Sequence, residues 1–170
     1  MRFVLFAALL LTLQASCFDS PHPSDAALES VFRNHQADFE LLLSMSRADS
    51  KVMRIAPDFT WLVDDASWPR PEDKLGFSEE RWNQYRELFR KLSLQSGLLT
   101  YRDQGTTYFL ASSKGLVTGG SGKGYVYSEK ELIPVSSSLD DISTETLKSS
   151  SNGMVYKKIG GNWYLFYDAH

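Results

Sequence analysis

Apolar side chains in this sequence change their spacing near residue 98, and that change limits the fold more than any other feature. In residues 28–43 and 82–92 they recur every three or four positions, which is the period of an amphipathic helix. Beyond residue 98 they tend to alternate, as in strands with one buried face. Helices followed by strands are typical of the α+β class. We therefore expect two amphipathic helices packed on a mostly antiparallel sheet of about five or six strands.

Two serines mark the expected starts of the helices, because serine favours the N-cap position. The first helix is predicted to begin after Ser24 and to continue to about Ala48. Its apolar stripe consists of Leu28, Val31, Phe32, His35, Phe39, Leu42 and Leu43. The second is predicted to follow Ser78 and to stop at Gly97, with a stripe of Trp82, Tyr85, Phe89 and Leu92. Residues 53–55 and 59–63, between the helices, are predicted strands.

Three glycine-containing turns divide the second half of the chain into predicted hairpins. The turns are 103–105, 119–123 and 160–162, and the strands around them are 98–102, 106–111, 115–118, 124–128, 154–159 and 163–168. The second turn superficially resembles a phosphate-binding loop. That motif, however, needs glycine where Val117 stands and serine or threonine where Gly124 stands. We therefore interpret residues 118–124 as a glycine-rich turn or bulge.

The N-terminus has the features of a secretory signal. Arg2 is the only charge in residues 1–16, and residues 3–13 are apolar apart from Thr12. This run is shorter than the roughly 18–20 residues that span a bilayer, but it suits a signal peptide. We expect residues 1–16 to be a signal peptide, 17–23 a tether interrupted by two prolines, and 24–170 a single domain.

The lone Cys17 excludes an intrachain disulfide and a cysteine-based zinc cluster. The run Leu13-Gln14-Ala15-Ser16-Cys17 resembles the lipobox of bacterial lipoproteins, with Gln14 where leucine is usual. This resemblance implies acylation of Cys17 and a lipid anchor, with ordinary signal-peptidase cleavage as the alternative. Phe18 follows Cys17 in place of the Asp that retains enteric lipoproteins in the inner membrane, which favours the outer membrane.

Charge and motif content favour a protein-binding function over catalysis. The net charge of −3 argues against a nucleic-acid binder, which would need a basic excess. No motif indicates a cofactor or a metal, and the acidic doublets 64–65 and 140–141 are not linked in the sequence. His35 is the best-placed candidate for a general base, although it lies on a helix stripe. A hydrolase that uses His35 is therefore kept as an alternative to a non-enzymatic protein.

The loop between the second predicted strand and the second helix is the candidate partner-binding site. It contains Asp64, Asp65, Trp68 and Arg70, and prolines on both sides of Arg70 stiffen the backbone. A stiff loop loses little entropy on docking, and Trp and Arg often dominate interface energetics. The alternative is a structural loop in which Trp68 only covers the core.

Several short runs resemble, in order, a family of small, poorly characterised proteobacterial envelope proteins. They are IAPDFT at 55–60, WPRP at 68–71, GFS at 76–78, RW at 81–82, YR at 85–86, LFRKL at 88–92, KGYVYS at 123–128 and WYLF at 163–166. Members are predicted lipoproteins without an assigned reaction. Some small periplasmic lipoproteins of this type act as immunity proteins to secreted antibacterial effectors, including phospholipases.

The resemblance thus implies a periplasm-facing lipoprotein that neutralises an envelope-targeting toxin. Such toxins are delivered by contact-dependent systems such as type VI secretion. It implies no catalytic residues. The alternative within the same setting is a structural or assembly lipoprotein of an envelope complex. Both interpretations place a protein partner, rather than a small molecule, on this chain.

Overall fold

The chain folds into three helices and one seven-stranded antiparallel sheet in a computed structural model that describes residues 22–63, 76–116, 119–149 and 153–170. The elements are α1 (Asp25–Ala48), β1 (Val52–Ile55), β2 (Thr60–Leu62), α2 (Glu79–Lys91), β3 (Leu98–Tyr101), β4 (Thr106–Leu116), β5 (Gly119–Ser128), α3 (Thr144–Lys148), β6 (Met154–Gly160) and β7 (Trp163–Ala169). The strand order is β2-β1-β3-β4-β5-β7-β6. The predicted α+β class is confirmed, with a strand count slightly above the expected five or six.

Both predicted N-caps are present. The Ser24 hydroxyl accepts a hydrogen bond from the Ala27 amide at 3.2 Å, and the Ser78 hydroxyl accepts one from Arg81 at 3.1 Å. Helix α1 follows its predicted bounds but has non-helical dihedrals at His35 (φ −131°, ψ 25°), which kink it. None of the helices within the described ranges is long and apolar enough to cross a bilayer.

The predicted end of the second helix at Gly97 is wrong. Helix α2 ends at Lys91, and Ser93 takes the positive φ of 56° that reverses the chain. Gly97 has a different purpose, since a Cβ at this position would collide with the carbonyl oxygen of Ile55. Gly97 therefore allows the start of β3 to approach β1 closely.

The predicted turn at residues 119–123 is also wrong, because these residues are part of β5. Strands β4 and β5 form one long pair, from Thr106 opposite Ser128 to Leu116 opposite Gly119. The glycines permit close backbone approach: a Cβ on Gly124 would collide with the Phe109 carbonyl oxygen beside the register shift in β4. Glycine here marks crowding between strands rather than a reversal of the chain.

The main core lies between the two long helices and one face of the sheet. Phe39 of α1 is at its centre. The centroid of its ring is 4.5 Å from that of Tyr125 and 5.3–5.9 Å from those of Phe32, Phe109 and Trp163. Such aromatic pairs add about 0.5–1.5 kcal/mol each beyond the burial of their area. The rigid sheet produced by this core positions every group considered below.

The opposite face of the sheet carries a smaller apolar cluster. Its buried members are Val126, Tyr156, Tyr164 and Phe166, and Tyr108, Leu110, Leu132 and Met154 pack against them. Leu132 belongs to residues 129–136, which we call the edge segment. The edge segment runs along β6, with hydrogen bonds from the Tyr156 amide to Pro134 (3.0 Å) and from the Ser136 amide to Tyr156 (2.8 Å).

Candidate functional site

A cleft of about 740 Å³ opens where α1 begins, between the ends of β4 and β5 and residues 139–148. Lys123 of β5 points into this region and is only 3% exposed. Its Nζ lies 2.8 Å from Oδ1 of Asp25 and 2.5 Å from Oδ1 of Asp140. Lys157 of β6 adds a second ammonium group 3.2 Å from Asp25. The most buried charges at the cleft are thus paired with one another.

Asp140 also holds the start of α1. Its carboxylate accepts hydrogen bonds from the backbone amide of Asp25 at 3.0 and 3.1 Å, where helix amides lack partners of their own. In return, Asp25 accepts a hydrogen bond from the Leu139 amide at 2.8 Å. These reciprocal contacts join the loop at 139–140 to the helix. Asp140 belongs to an acidic doublet in the sequence, but its position gives it a structural role.

The charge network determines the ionisation of Asp25. Burial alone would raise the pKa of the Asp25 carboxyl. Hydrogen bonds from Lys123, the Leu139 amide and Lys157, together with the positive charge of Lys123, outweigh burial and lower this pKa below its ordinary value of 3.8. Asp25 is therefore held as a carboxylate in the folded protein.

His22, in the predicted tether, is docked on the sheet rather than standing away from it. Its Nδ1 is 2.6 Å from the Ser112 hydroxyl and its Nε2 is 2.8 Å from the Ser121 hydroxyl. The ring also meets Tyr167 edge-on, with 5.4 Å between centroids. Both nitrogens are thus engaged by hydroxyl groups, which places His22 as a clamp on β4 and β5.

His35, the candidate general base, lies at the kink of α1. Its Nδ1 is 3.2 Å from Oδ2 of Asp38, and Asp38 also pairs with Lys91 of α2 at 2.8 Å. The hydrogen bond from Lys91 contributes most to lowering the pKa of Asp38. Among the described residues, no serine or threonine hydroxyl is hydrogen bonded to His35. His35 therefore contacts, within α1, the carboxylate through which Asp38 pairs with α2.

Asp168 of β7 is a carboxyl whose pKa is shifted in the opposite direction from those of Asp25 and Asp38. Burial raises its pKa above the ordinary 3.8, against the opposing effect of His170, whose Nε2 is 3.1 Å from Oδ2. Folding then disfavours the charged carboxylate. This effect destabilises the protein at neutral pH and disappears as the pH falls through the raised pKa toward 3.8.

Replacing Asp168 with asparagine, which has a similar shape and no charge, is expected to raise the free energy of unfolding at pH 7, because it removes the charge that burial disfavours. The difference from the wild type should shrink as the pH approaches 4. Urea unfolding at several pH values measures both effects. A loss of stability that is the same at all pH values would contradict the assigned role of burial.

The sequence-predicted site residues Cys17, Asp64, Asp65, Trp68 and Arg70 all lie outside the described residues. Their roles remain predictions. Within the part of the chain that the structure describes, no group of three or more His, Cys, Asp or Glu side chains is arranged to hold a metal ion.

The edge segment carries a surface feature that the sequence reasoning missed. Ile133 is 74% exposed and Val135 is 50% exposed, although both are large apolar residues. The signal in the sequence is the apolar run 132–135 within an otherwise polar stretch. This run shows neither the period of a helix nor that of a strand, and it contains Pro134, so it predicts no regular element.

Comparison of the chain with protein-family models, curated proteins and solved structures returned no match.

Proposed function

We propose that this protein is a lipid-anchored envelope protein that faces the periplasm and acts by binding another protein. Its proposed role is immunity, in which it neutralises an envelope-targeting secreted toxin such as a phospholipase effector, without catalysis of its own. The observation that carries the proposal of protein binding is the exposure of Ile133 and Val135 on the edge segment. The toxin as partner and the anchor at Cys17 come from the resemblances in the sequence.

Exposed apolar groups on a fixed backbone favour docking of a protein. The edge segment is tied to β6 by two backbone hydrogen bonds, so little conformational freedom remains to be lost when a partner binds. Removing Ile133 and Val135 from water would add about 25 cal/mol for each Å² of apolar surface buried. Contiguous exposed apolar surface with polar surroundings is typical of interaction sites.

The charged groups at the cleft support binding rather than turnover. Lys123, Asp25 and Asp140 are paired with one another and with the start of α1. Groups engaged in this way stabilise the fold and are poorly suited to proton transfer. His35 contacts Asp38 and lies at a helix kink.

The proposal is tested by identifying the genes that flank the gene of this chain and by co-expressing the chain with any periplasm-directed effector that they encode. We expect survival with the intact chain, and death with a variant in which Ile133 and Val135 are both replaced by aspartate. Titration calorimetry with the purified effector should show binding by the wild type only. Equal killing with and without the wild-type chain would contradict immunity, and a stable complex with resident envelope machinery instead would favour the assembly lipoprotein.

The His35→Gln variant separates binding from hydrolysis. We expect protection and effector affinity to remain within about twofold of the wild type, because His35 lies in the helix layer and, among the described residues, its side chain bonds to nearby Asp38. Thermal denaturation confirms that the variant is folded. Loss of protection in a folded His35→Gln protein would favour the hydrolase alternative.

A further inference from the structure

We propose that the partner docks by adding an extended strand to the edge segment at Val135. This inference rests on the proposed function as a protein-binding module and names the mode of recognition. The outer edge at Val135 would then become an inner position of an enlarged sheet.

The direction of the Val135 backbone follows from its pairing with β6. Residue 135 forms a parallel bridge with Tyr156. The two hydrogen bonds of this bridge involve the residues on either side of Val135. The Pro134 carbonyl accepts from the Tyr156 amide, and the Ser136 amide donates to the Tyr156 carbonyl. In this arrangement the amide and carbonyl of Val135 itself point away from β6. Among the described residues, neither group has a hydrogen-bond partner.

An outward donor and acceptor on one residue select an extended chain as the occupant. A helix has satisfied its own backbone groups and can offer only side chains, whereas a strand offers a carbonyl and an amide at matching spacing. Val135 lies opposite Tyr156, whose ring belongs to the apolar cluster on the far face of the sheet. A docked strand would therefore extend that face, and apolar residues at alternate positions of the strand would suit it.

The apolar part of the edge segment is a local gap in the protection of this sheet edge. Natural edges are commonly blunted by charged side chains, by proline or by very short strands. The edge segment has all three, since it begins with Glu129, Lys130 and Glu131, contains Pro134 and pairs with β6 through a single bridge. Within it, residues 132–135 carry no charge, and Ile133 and Val135 are both exposed. The position open to a docked strand is therefore confined to Val135 and its apolar neighbours.

The Val135→Pro variant tests the inference, since it removes the outward amide without removing either hydrogen bond to Tyr156. Val135→Thr is the matched control, because it keeps the amide and a β-branched side chain of similar size. The probe is the purified full-length effector. We expect Val135→Pro to weaken binding by about a hundredfold or more, and Val135→Thr by less than about tenfold. Circular dichroism and thermal unfolding show whether both variants are folded.

Hydrogen–deuterium exchange supplies a second measurement that does not depend on a variant. The Val135 amide should exchange rapidly in the free wild-type chain and slow by about a hundredfold in the complex. Overlapping peptides tiled across the effector should include one that competes for binding. Unchanged exchange at Val135 in a saturated complex would overturn strand addition, as would equal affinity losses in the two variants.

The outcomes separate this inference from the proposed function. If the wild type binds the effector but the proline and threonine variants bind equally, protein binding stands and strand addition fails. If the wild type does not bind, the proposed function itself fails. A wild-type dimer that Val135→Pro converts to a monomer would show a second copy at the edge, and would overturn the assignment to a foreign strand.

Discussion

Replacing Lys123 with methionine is expected to lower the free energy of unfolding by about 3–5 kcal/mol, because it leaves the Asp25 carboxylate without its buried partner. Lys123 and Asp25 are 3% and 5% exposed at their side chains, so water cannot readily take over the contact. Methionine keeps the length and apolar stem of lysine, which isolates the loss of charge. Urea denaturation of the purified chain measures the difference.

Acidification provides an independent check on the Lys123 variant. The wild type gains stability from Asp25 above its unfolded pKa of about 3.8 and loses it as the pH falls through the lower folded value. Without Lys123, burial acts on Asp25 with less opposition, so the variant should lose less stability between pH 5 and about 3. Lys148→Met, at an exposed position beside the same cleft, should stay within about 0.5 kcal/mol of the wild type at every pH.

A Lys123→Met variant as stable as the wild type would mean that the buried pair contributes nothing net. Adding Asp25→Asn to the Lys123→Met variant should then not raise the free energy of unfolding. If the pair is as important as expected, Asp25→Asn in the methionine background should restore part of the lost stability, since it removes the unpaired charge.

The Gly124→Ala substitution is expected to cost about 3 kcal/mol or more and to lower the melting temperature by roughly 6–12 °C. Gly124 lies opposite Leu110 in the central β4–β5 pair, and an added Cβ would collide with the carbonyl of Phe109. The obstruction is backbone and cannot move aside as a flexible side chain would. The strands would have to separate where they are most tightly joined.

Gly161→Ala is the control for this prediction. Gly161 has a φ of 51° and open space around its Cβ position, so alanine there meets only conformational strain of about 1 kcal/mol. Calorimetry should therefore rank Gly124→Ala as clearly the more damaging change. The reverse order would contradict the assignment of Gly124 to a close backbone contact.

The elements that sequence reasoning predicted best are those whose signals are local. Ser24 and Ser78 cap helices through hydrogen bonds three residues away, and the hairpins at 103–105 and 160–162 depend on glycine at the turn itself. The predictions based on glycine were wrong where its role depends on a distant strand. Gly97 and Gly124 make room for Ile55 and Phe109, and neither neighbour is visible in the local sequence.

The contacts around the cleft could not be predicted for the same reason. Asp25 and Lys123 are far apart in the chain and meet only because α1 begins above the middle of β5. The edge segment was missed because a single parallel bridge leaves no period in the sequence. The predicted loop site at Asp64, Asp65, Trp68 and Arg70 is untested, so it and the edge segment are separate candidates for the partner surface.

The docked position of His22 would limit how far the domain can move from a membrane to which Cys17 anchors it. With Cys17 as the proposed anchor, the linker from Cys17 to His22 could span about 18 Å at most if it were fully extended. The body would then stay close to the lipid surface and keep one end turned toward it. A toxin that works on that surface would meet the protein by two-dimensional diffusion. The length of the linker, rather than the periplasmic volume, would then set the local concentration.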